Sequence, residues 1–328
     1  MKEFLSKVMD AALGPASMKL KMILNIMFHH WEFIPCMLYP LSARLRGISE
    51  QDLQRVYQGI DSRSMDILRK HLHCVSFAVP ENAMRMYFFH FSCLYPEGEK
   101  PLRAQTKKEI GRLKRKYHLA GACVPESLIR HHGLRDQPSS VKEYLRNKVF
   151  LDVGAYNGDS SCVLFSYNPS KIYAFEPDEK MIRNFKNTMK KNGFPPCSCE
   201  IVPFLVGREN GEGTVSLDHF IRTKPAEPIG FLKADVEGAG LELIKGAENL
   251  IRTNRPVISI AIYHNPDEFL GIYPLLKEWN LHYHIEIRSL GLPLMLTETV
   301  LLAVPEELIP DRQSVPPGPQ PQVPAFPS

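Results

Sequence analysis

The fold of the chain is decided by the stretch Val149-Phe150-Leu151-Asp152-Val153-Gly154-Ala155-Tyr156-Asn157-Gly158-Asp159-Ser160-Ser161. Apolar residues lead into Asp152, two glycines bracket a tight turn, and Asp159-Ser160 begins a predicted helix. This order is typical of the carboxyl end of a buried parallel strand. Gly154 and Gly158 have no Cβ, so a ligand can approach the backbone, and the first N–H groups of the helix suit a carboxylate or phosphate. The alternative is an ordinary glycine turn, because short glycine motifs are weak indicators.

A second apolar strand, Lys171-Ile172-Tyr173-Ala174-Phe175, ends at Glu176-Pro177. In a βαβ unit an acid about twenty residues after the glycine turn accepts hydrogen bonds from ribose hydroxyls. The Gly-x-x-x-Gly spacing lacks the middle glycine that cradles a pyrophosphate, and the chain has no Gly-Lys-Ser/Thr phosphate loop. The pattern therefore favours a nucleoside without phosphates over NAD or ATP, which indicates S-adenosylmethionine.

The composition is that of a soluble globular protein, with 328 residues, 44% apolar and 23% charged. The net charge of +4 does not call for a nucleic-acid partner. Seven scattered cysteines predict a reducing, cytoplasmic setting, and Cys197-x-Cys199 lacks the second ligand pair of a metal site. Charges and prolines interrupt the apolar stretch 18–41, which favours an accessory core over a membrane span, with peripheral membrane contact as an alternative. The sequence does not indicate an oligomeric state.

Three regions are predicted. Residues 1–125 form a mostly helical accessory domain, which includes a helix at 48–72 with Ser49 as its N-cap, an aromatic-rich core stretch at 84–95 and a basic helix at 102–119. A solvated face is favoured for that basic helix over a nucleic-acid-binding one, because it has few aromatic residues. Residues 126–305 form an α/β domain, and the proline-rich stretch 306–328 is expected to be disordered.

The α/β domain alternates apolar strands with amphipathic helices. After the opening strand, strands are predicted at Ile172–Phe175, Ile201–Val206, Phe231–Val236, Val257–Tyr263, Tyr283–Ile287 and Thr299–Val304. Helices are predicted at Asp159–Tyr167, at Asp178–Asn192, from the fourth strand to about Asn254, and from Pro266 to Trp279. Residues 207–230 are expected to be a loop with a short strand at 214–217. This alternation predicts a largely parallel sheet with helices on both faces, and an antiparallel final pair of strands.

Several blocks in this order resemble the FkbM-type methyltransferases. The blocks are Asp152-Val-Gly-Ala-Tyr-Asn-Gly-Asp-Ser, Phe175-Glu-Pro, Phe231-Leu-Lys-Ala-Asp-Val-Glu-Gly, Lys245-Gly-Ala-Glu and Ile262-Tyr-His, and the resemblance covers about residues 126–304. It implies a class I, Rossmann-like methyltransferase fold with a mostly parallel seven-stranded sheet. It also implies methyl transfer from S-adenosylmethionine to a hydroxyl oxygen of a sugar, a glycan or a natural product.

The resemblance also implies roles for individual residues. The residues implied to bind the cofactor are Asp152, Gly154, Ala155, Tyr156, Gly158, Asp159, Ser160, Glu176 and Pro177, with Glu176 on the ribose. The residues implied to line the methyl-transfer side are Asp235, Glu237 and His264. No metal is assigned.

The residues themselves leave the catalytic roles open. His264 has the pKa range of a general base near neutrality, but a lone histidine after a strand is equally typical of a capping or core residue. Asp235 is a candidate to orient the substrate, to take its proton or to bind a divalent ion with Glu237. The structural alternative for Asp235 is to cap the next helix. This structural role is the favoured one for Glu237. Lys233 alternates with Asp235 along the strand, which predicts an ion pair between them.

Two departures from the FkbM pattern support a different hypothesis. Gly240 replaces an acid, and the segment 207–230 is short. Both are compatible with a non-catalytic or weakly active binding protein on the same fold. A nicotinamide dehydrogenase is disfavoured by the glycine spacing, and a nucleic-acid methyltransferase by the missing Asn-Pro-Pro-Tyr type of base-flipping motif.

Overall fold

The computed structural model of the chain describes residues 45, 47–76, 100–119, 128–224, 227–290 and 299–309. The predictions for 18–41 and 84–95, and for the tail from 310 onward, lie outside these residues. The division into domains at 125 and 305 stays a prediction. None of the helices within the described ranges combines the length and the apolarity that a bilayer span requires.

The described residues before position 120 form three helices: α1 (Glu50–Val56), α2 (Ser62–Ser76) and α3 (Lys100–Lys116). Ser49 caps α1 as predicted, because its Oγ accepts the N–H of Asp52 at 3.1 Å. Helix α2 packs on the sheet edge, where Ser64 Oγ accepts the N–H of Ile287 at 2.8 Å. Leu53 and Leu68 join the hydrophobic cluster of one sheet face, while Leu119, just after α3, joins that of the other. These helices therefore share the core of the sheet.

The prediction of a seven-stranded, mostly parallel sheet is confirmed. The strands are β1 (Val149–Val153), β2 (Lys171–Phe175), β3 (Cys199–Val202), β4 (Leu205–Val206), β5 (Thr214–Val215), β6 (Ile229–Ala234), β7 (Val257–Ala261), β8 (Tyr283–Ser289) and β9 (Thr299–Pro305). The main sheet has the order β3-β2-β1-β6-β7-β9-β8, and β9 runs antiparallel to both of its neighbours. The parallel strands are apolar on both sides because both faces are covered.

Helices cover the two faces of this sheet. They are α4 (Ser139–Leu145), α5 (Asp159–Leu164), α6 (Glu179–Lys191), α7 (Leu217–Arg222), α8 (Gly240–Lys245), α9 (Glu248–Asn254) and α10 (Pro266–Glu278). Alternate residues of the strands enter different clusters, so Phe150 and Phe231 lie in one core and Leu151 and Leu232 in the other. The expectation of helices on both faces is confirmed.

The third predicted strand, Ile201–Val206, is wrong as a single element. It divides into β3 and β4, and β4 pairs with β5 in a separate two-stranded sheet. The division occurs at Pro203, which has no backbone N–H for a ladder, and Phe204 turns back so that its N–H reaches Val202 O at 2.9 Å. The segment 207–230 is not only a loop, because it contains α7, whose N-cap Ser216 accepts the N–H of His219.

The helix predicted to run from the fourth strand to Asn254 consists of two helices, α8 and α9. They are separated at Gly246, where an added Cβ would lie 2.1 Å from Gly207 O. The chain that leaves β4 therefore passes so close to position 246 that only glycine fits there. The predicted helix Asp159–Tyr167 likewise ends as α5 at Leu164 and continues as a 3₁₀ turn over Phe165–Tyr167.

Candidate active site

The bend after β1 is held between the carboxyl ends of two neighbouring strands. Gly154 has φ +78°, and an added Cβ would lie 1.8 Å from Asp235 O, just after β6. The N–H groups of Gly154 and Ala155 both donate to Phe175 O at 3.0 Å, at the end of β2. Only glycine fits such a close approach of two backbones. The bend is thus fixed in the position where ligands bind in open α/β sheets.

The second glycine of the motif serves helix packing. Gly158 has φ +87°, and a Cβ there would lie 2.9 Å from Met189 Cε and 3.1 Å from Phe185 Cδ2, both on α6. The N–H groups at the start of α5 already have acceptors, because Asp159 N donates to Asn157 Oδ1 and Ser160 N to Asp159 Oδ1. Two of the first N–H groups of α5 are therefore satisfied by nearby side chains.

Asp152 is fully buried and has partners inside the protein. Its Oδ2 accepts the hydroxyls of Ser160 at 2.8 Å and Ser161 at 2.7 Å, and its Oδ1 lies 3.2 Å from Lys233 Nζ. Burial alone would raise the pKa of Asp152, but the Lys233 ammonium and the two hydroxyls outweigh burial and hold the pKa below its usual range. Lys233 thus forms its ion pair with Asp152, whereas an ion pair with Asp235 was predicted.

Glu176 joins the ends of β1 and β2. Its Oε2 accepts the N–H of Tyr156 at 2.9 Å, and its Oε1 accepts the N–H of Asp178 at 2.9 Å. Burial raises the pKa of Glu176, against the effect of these two backbone hydrogen bonds. The two chain bends that the sequence placed around one ligand are therefore in direct contact, and each carboxylate oxygen keeps a further lone pair.

Apolar surface is exposed on both sides of Glu176. Tyr156, Phe204 and Leu205 are 46%, 41% and 56% exposed, high values among the large apolar side chains of the described residues. Val202 O accepts N–H groups from both Glu176 and Phe204, which places the Phe204 backbone directly beside the acid. Pro177 is also exposed. This edge of the sheet therefore carries exposed apolar groups close to the buried carboxylate of Glu176.

A second cluster of titratable residues lies where β6 and β7 end. The buried side chain of His264 faces carboxylates through both ring nitrogens: Nε2 lies 3.3 Å from Asp235 Oδ1 and 3.6 Å from Glu237 Oε2, and Nδ1 lies 3.2 Å from Glu268 Oε2. Burial alone would lower the pKa of His264, but Asp235 and Glu268 raise it to about 10. Such a histidine carries its proton at neutral pH, whereas a general base has to be neutral.

The bend between β6 and α8 is organised by α10. Asn265 caps α10 by accepting the N–H of Glu268, and its Nδ2 donates to Gly238 O at 2.6 Å. The N-cap of α8 is Ala239, which offers no side-chain hydrogen bond, and Gly240 N donates to Glu268 Oε1 at 2.7 Å. The alternative that Asp235 or Glu237 caps this helix is therefore wrong. Glu237 has φ +51° and points its side chain, 80% exposed, toward solvent.

Two residues in this neighbourhood were missed by the sequence reasoning. Glu268 follows Asn265-Pro266 as a first-turn acid of α10, and nothing in the sequence indicates that it reaches α8. His132 is 3% exposed, and within the described part of the chain its Nε2 has no hydrogen-bond partner. Burial lowers the pKa of His132 to about 3, and the nearby Lys233 ammonium adds to this effect against Asp152 and Asp235. The signal in the sequence was the run His131-His132-Gly133, which adopts left-handed φ angles at all three positions.

Residues 206–290 match the family model of the methyltransferase FkbM domain. The resemblance to the FkbM-type methyltransferases is confirmed. The match runs from β4 to β8 and includes Asp235, Glu237 and His264, while the bend after β1 and Glu176 precede it. No curated protein matches the chain significantly.

The crystal structure of methyltransferase FkbM from Methylobacillus flagellatus resembles this chain with a TM-score of 0.51 and 18% identity, over 76% of this chain and 57% of that one. The chain thus spans little more than half the length of that FkbM methyltransferase. The O-methyltransferase from Bacillus cereus in complex with S-adenosylhomocysteine gives a TM-score of 0.42 and 16% identity, over 61% of this chain and 90% of that one. With its strand order and its FkbM domain match, the chain has the fold of the class I, S-adenosylmethionine-dependent methyltransferases.

Proposed function

We propose that the protein is an S-adenosylmethionine-dependent O-methyltransferase that acts on a hydroxyl group of a sugar, a glycan or a natural product. The observation that carries the proposal is the 2.9 Å contact between Tyr156 N and Glu176 Oε2, which joins the bend after β1 to the acid closing β2. A nucleoside that spans these two bends would lie along the carboxyl edge of the sheet. Asp235 and His264 lie further along the same edge, at the ends of β6 and β7.

The residues at this edge suit S-adenosylmethionine, which when bound supplies a methyl group on a sulfonium. Glu176 is oriented by two backbone N–H groups and keeps lone pairs for the two ribose hydroxyls. The exposed side chains of Phe204 and Leu205 offer apolar contact to a purine. Asp152, predicted as a direct ligand of the cofactor, would support the bend from inside instead.

On the methyl-transfer side, methyl transfer to an alcohol requires alignment of the oxygen and removal of one proton. We assign both tasks to Asp235, whose side chain is a quarter exposed. His264 as an imidazolium keeps Asp235 ionised, since an adjacent cation favours the charged carboxylate. Glu237 adds a second negative charge at the mouth of the site, which attracts a sulfonium.

The acceptor class and the location belong to the proposal as well. The flanking basic helix α3 carries Lys114, Arg115 and Lys116 in its last turn, where cations complement the helix dipole, so these residues do not by themselves require a nucleic acid. Cys197 and Cys199 are free thiols, which suits a reducing compartment such as the cytoplasm.

The proposal is tested by calorimetric titration of the full chain with S-adenosylhomocysteine and, separately, with NADH. We expect S-adenosylhomocysteine to bind and NADH to give no heat beyond dilution. Binding of NADH alone, or of neither compound, would overturn the assignment. A second arm incubates the protein with radiolabelled S-adenosylmethionine and a panel of methyl glycosides. If the nucleoside binds and no glycoside or small alcohol is labelled, the non-catalytic hypothesis replaces the O-methyltransferase.

A further inference from the structure

Glu268 is a buried carboxylate that serves two partners on different elements. It is 1% exposed and lies in the first turn of α10. Its Oε1 accepts the N–H of Gly240 at 2.7 Å, and its Oε2 lies 3.2 Å from Nδ1 of His264. A buried carboxylate is costly unless it is paired and hydrogen-bonded, and here both oxygens are engaged. One side chain therefore links the helix after β6 to the histidine after β7.

We propose that Glu268 is the positioning residue of the methyl-transfer side, holding the His264 ring as an imidazolium beside Asp235 and fixing the bend that carries Glu237. The inference rests on the proposed function for its catalytic meaning, but its geometry is independent of it. Glu268 itself, buried behind His264, acts through that ring and through the backbone of Gly240.

The charge state of His264 follows from its neighbours. Ionised carboxylates are acceptors only, so a ring nitrogen that faces one is stabilised as an N–H donor. Nδ1 faces Glu268, and Nε2 faces Asp235 and Glu237. The ring of Tyr263, whose centroid is 4.0 Å from that of His264, brings no charge. With Nδ1–H held by Glu268, the second ring proton is on Nε2, which lies among the carboxylates of Asp235 and Glu237.

The same carboxylate explains the glycine that departs from the FkbM pattern. A Cβ on Gly240 would lie 2.7 Å from Glu268 Oε1 and 3.2 Å from Ile260 Cδ1. An acid at position 240 and Glu268 in its present place exclude each other. Gly240 therefore leaves the room that Glu268 occupies in this chain, so this glycine is not by itself a sign of a lost site.

The decisive variant is Glu268→Gln, because glutamine keeps the shape and an acceptor for Gly240 N but removes the charge. The matched control is Glu278→Gln, which removes the same charge from the exposed end of α10. In protein with isotope-labelled histidine, NMR titration should show the His264 pKa lowered by at least one pH unit in Glu268→Gln and unchanged in the control. Labelling of the best methyl acceptor should fall about ten- to hundredfold in kcat, with the Kd for S-adenosylhomocysteine changed less than about threefold.

An unchanged His264 pKa in folded Glu268→Gln would overturn the inference, as would equal behaviour of the two variants. If Glu268→Gln does not fold, the double variant Gly240→Glu/Glu268→Ala decides the question. In this double variant the pKa of His264 should lie above that of free histidine. A pKa at or below that of free histidine would contradict the proposal. The titration needs no ligand, so it judges Glu268 even if S-adenosylhomocysteine fails to bind, which would overturn only the proposed function.

Discussion

The ammonium of Lys233 lies 3.2 Å from the carboxylate of Asp152, and both side chains are almost completely buried. Lys233 Nζ also donates to Gly154 O at 2.7 Å and to Val153 O at 3.3 Å. The pair therefore connects the ends of β1 and β6 and secures the first glycine bend from the inside. Because both side chains are buried, Asp152 supports the bend without needing to touch a ligand.

Breaking this pair should destabilise the protein strongly. Asp152→Asn leaves the buried charge of Lys233 uncompensated, which costs about 3–5 kcal/mol in comparable buried pairs. The double variant Asp152→Asn/Lys233→Met removes both charges and should recover more than half of that loss. Denaturant unfolding of the three proteins measures the effect. Equal destabilisation in the single and double variants would mean that the charge pair is not the cause.

The first glycine bend should tolerate no side chain. In Gly154→Ala the new Cβ would meet Asp235 O at 1.8 Å, so the ends of β1 and β6 must separate. The matched control is Gly193→Ala, which has a similar positive φ of +71° but no atom within 4 Å of the added Cβ. The control should cost about 1 kcal/mol from backbone strain. Gly154→Ala should cost several times more, or fail to fold. If thermal unfolding shows that Gly154→Ala destabilises the protein no more than Gly193→Ala does, the bend relaxes to accommodate the side chain.

The strand pattern of this chain could be predicted because it is local. Phe150, Ile172, Phe231 and Val257 belong to short apolar runs that end at polar residues or glycine, and such runs are typical of parallel strands covered on both faces. The division at Pro203 was missed although proline carries its own signal, because the apolar residues around it continue the pattern.

The contacts of the site are tertiary and could not be predicted in the same way. The ends of the strands identified Asp235 and His264 as neighbours, since carboxyl ends of parallel strands meet at one edge. The protonation of His264, however, depends on Glu268, which reaches it only because α10 packs beside α8. The partner of Lys233 was mistaken for a similar reason. The alternation of side chains along β6 puts Lys233 on the same face as Asp235. The register with β1, however, places Lys233 opposite Asp152.

Glu176 should control the affinity for the nucleoside. Glu176→Gln removes one acceptor of the ribose hydroxyls, and we expect the binding of S-adenosylhomocysteine to weaken by about 1–3 kcal/mol, or about five- to hundredfold in Kd. Glu179→Gln is the control, an exposed acid three residues further along the chain whose side chain faces Arg183. Calorimetry compares the two variants with the unmodified chain. If both bind as tightly as the unmodified chain, the ribose is not held by Glu176.

Two buried histidines should give the stability of the protein opposite dependences on pH. Free histidine has a pKa of 6.5, whereas that of His264 is raised to about 10. Between these values the folded state keeps a proton that the unfolded state has lost, so the stabilisation by His264 is complete below pH 6.5 and falls away as the pH rises toward 10. His132, with its pKa lowered to about 3, behaves in the opposite sense. Below pH 6.5 the unfolded protein gains a proton at His132 and the folded protein does not. The free energy of unfolding therefore decreases as the pH falls from 6.5 toward 3.

Each histidine should therefore account for one limb of the stability profile, with a slope of up to about 1.4 kcal/mol per pH unit. His264→Gln should flatten the limb above pH 6.5 and leave the acid limb unchanged. His132→Asn, which retains a residue tolerant of left-handed φ, should flatten the limb below pH 6.5 instead. Urea unfolding from pH 4 to pH 9 resolves both limbs, relative to the unmodified chain. An alkaline limb that survives in His264→Gln would mean that this histidine is neutral in the folded protein, and the general-base role would then return to it in place of Asp235.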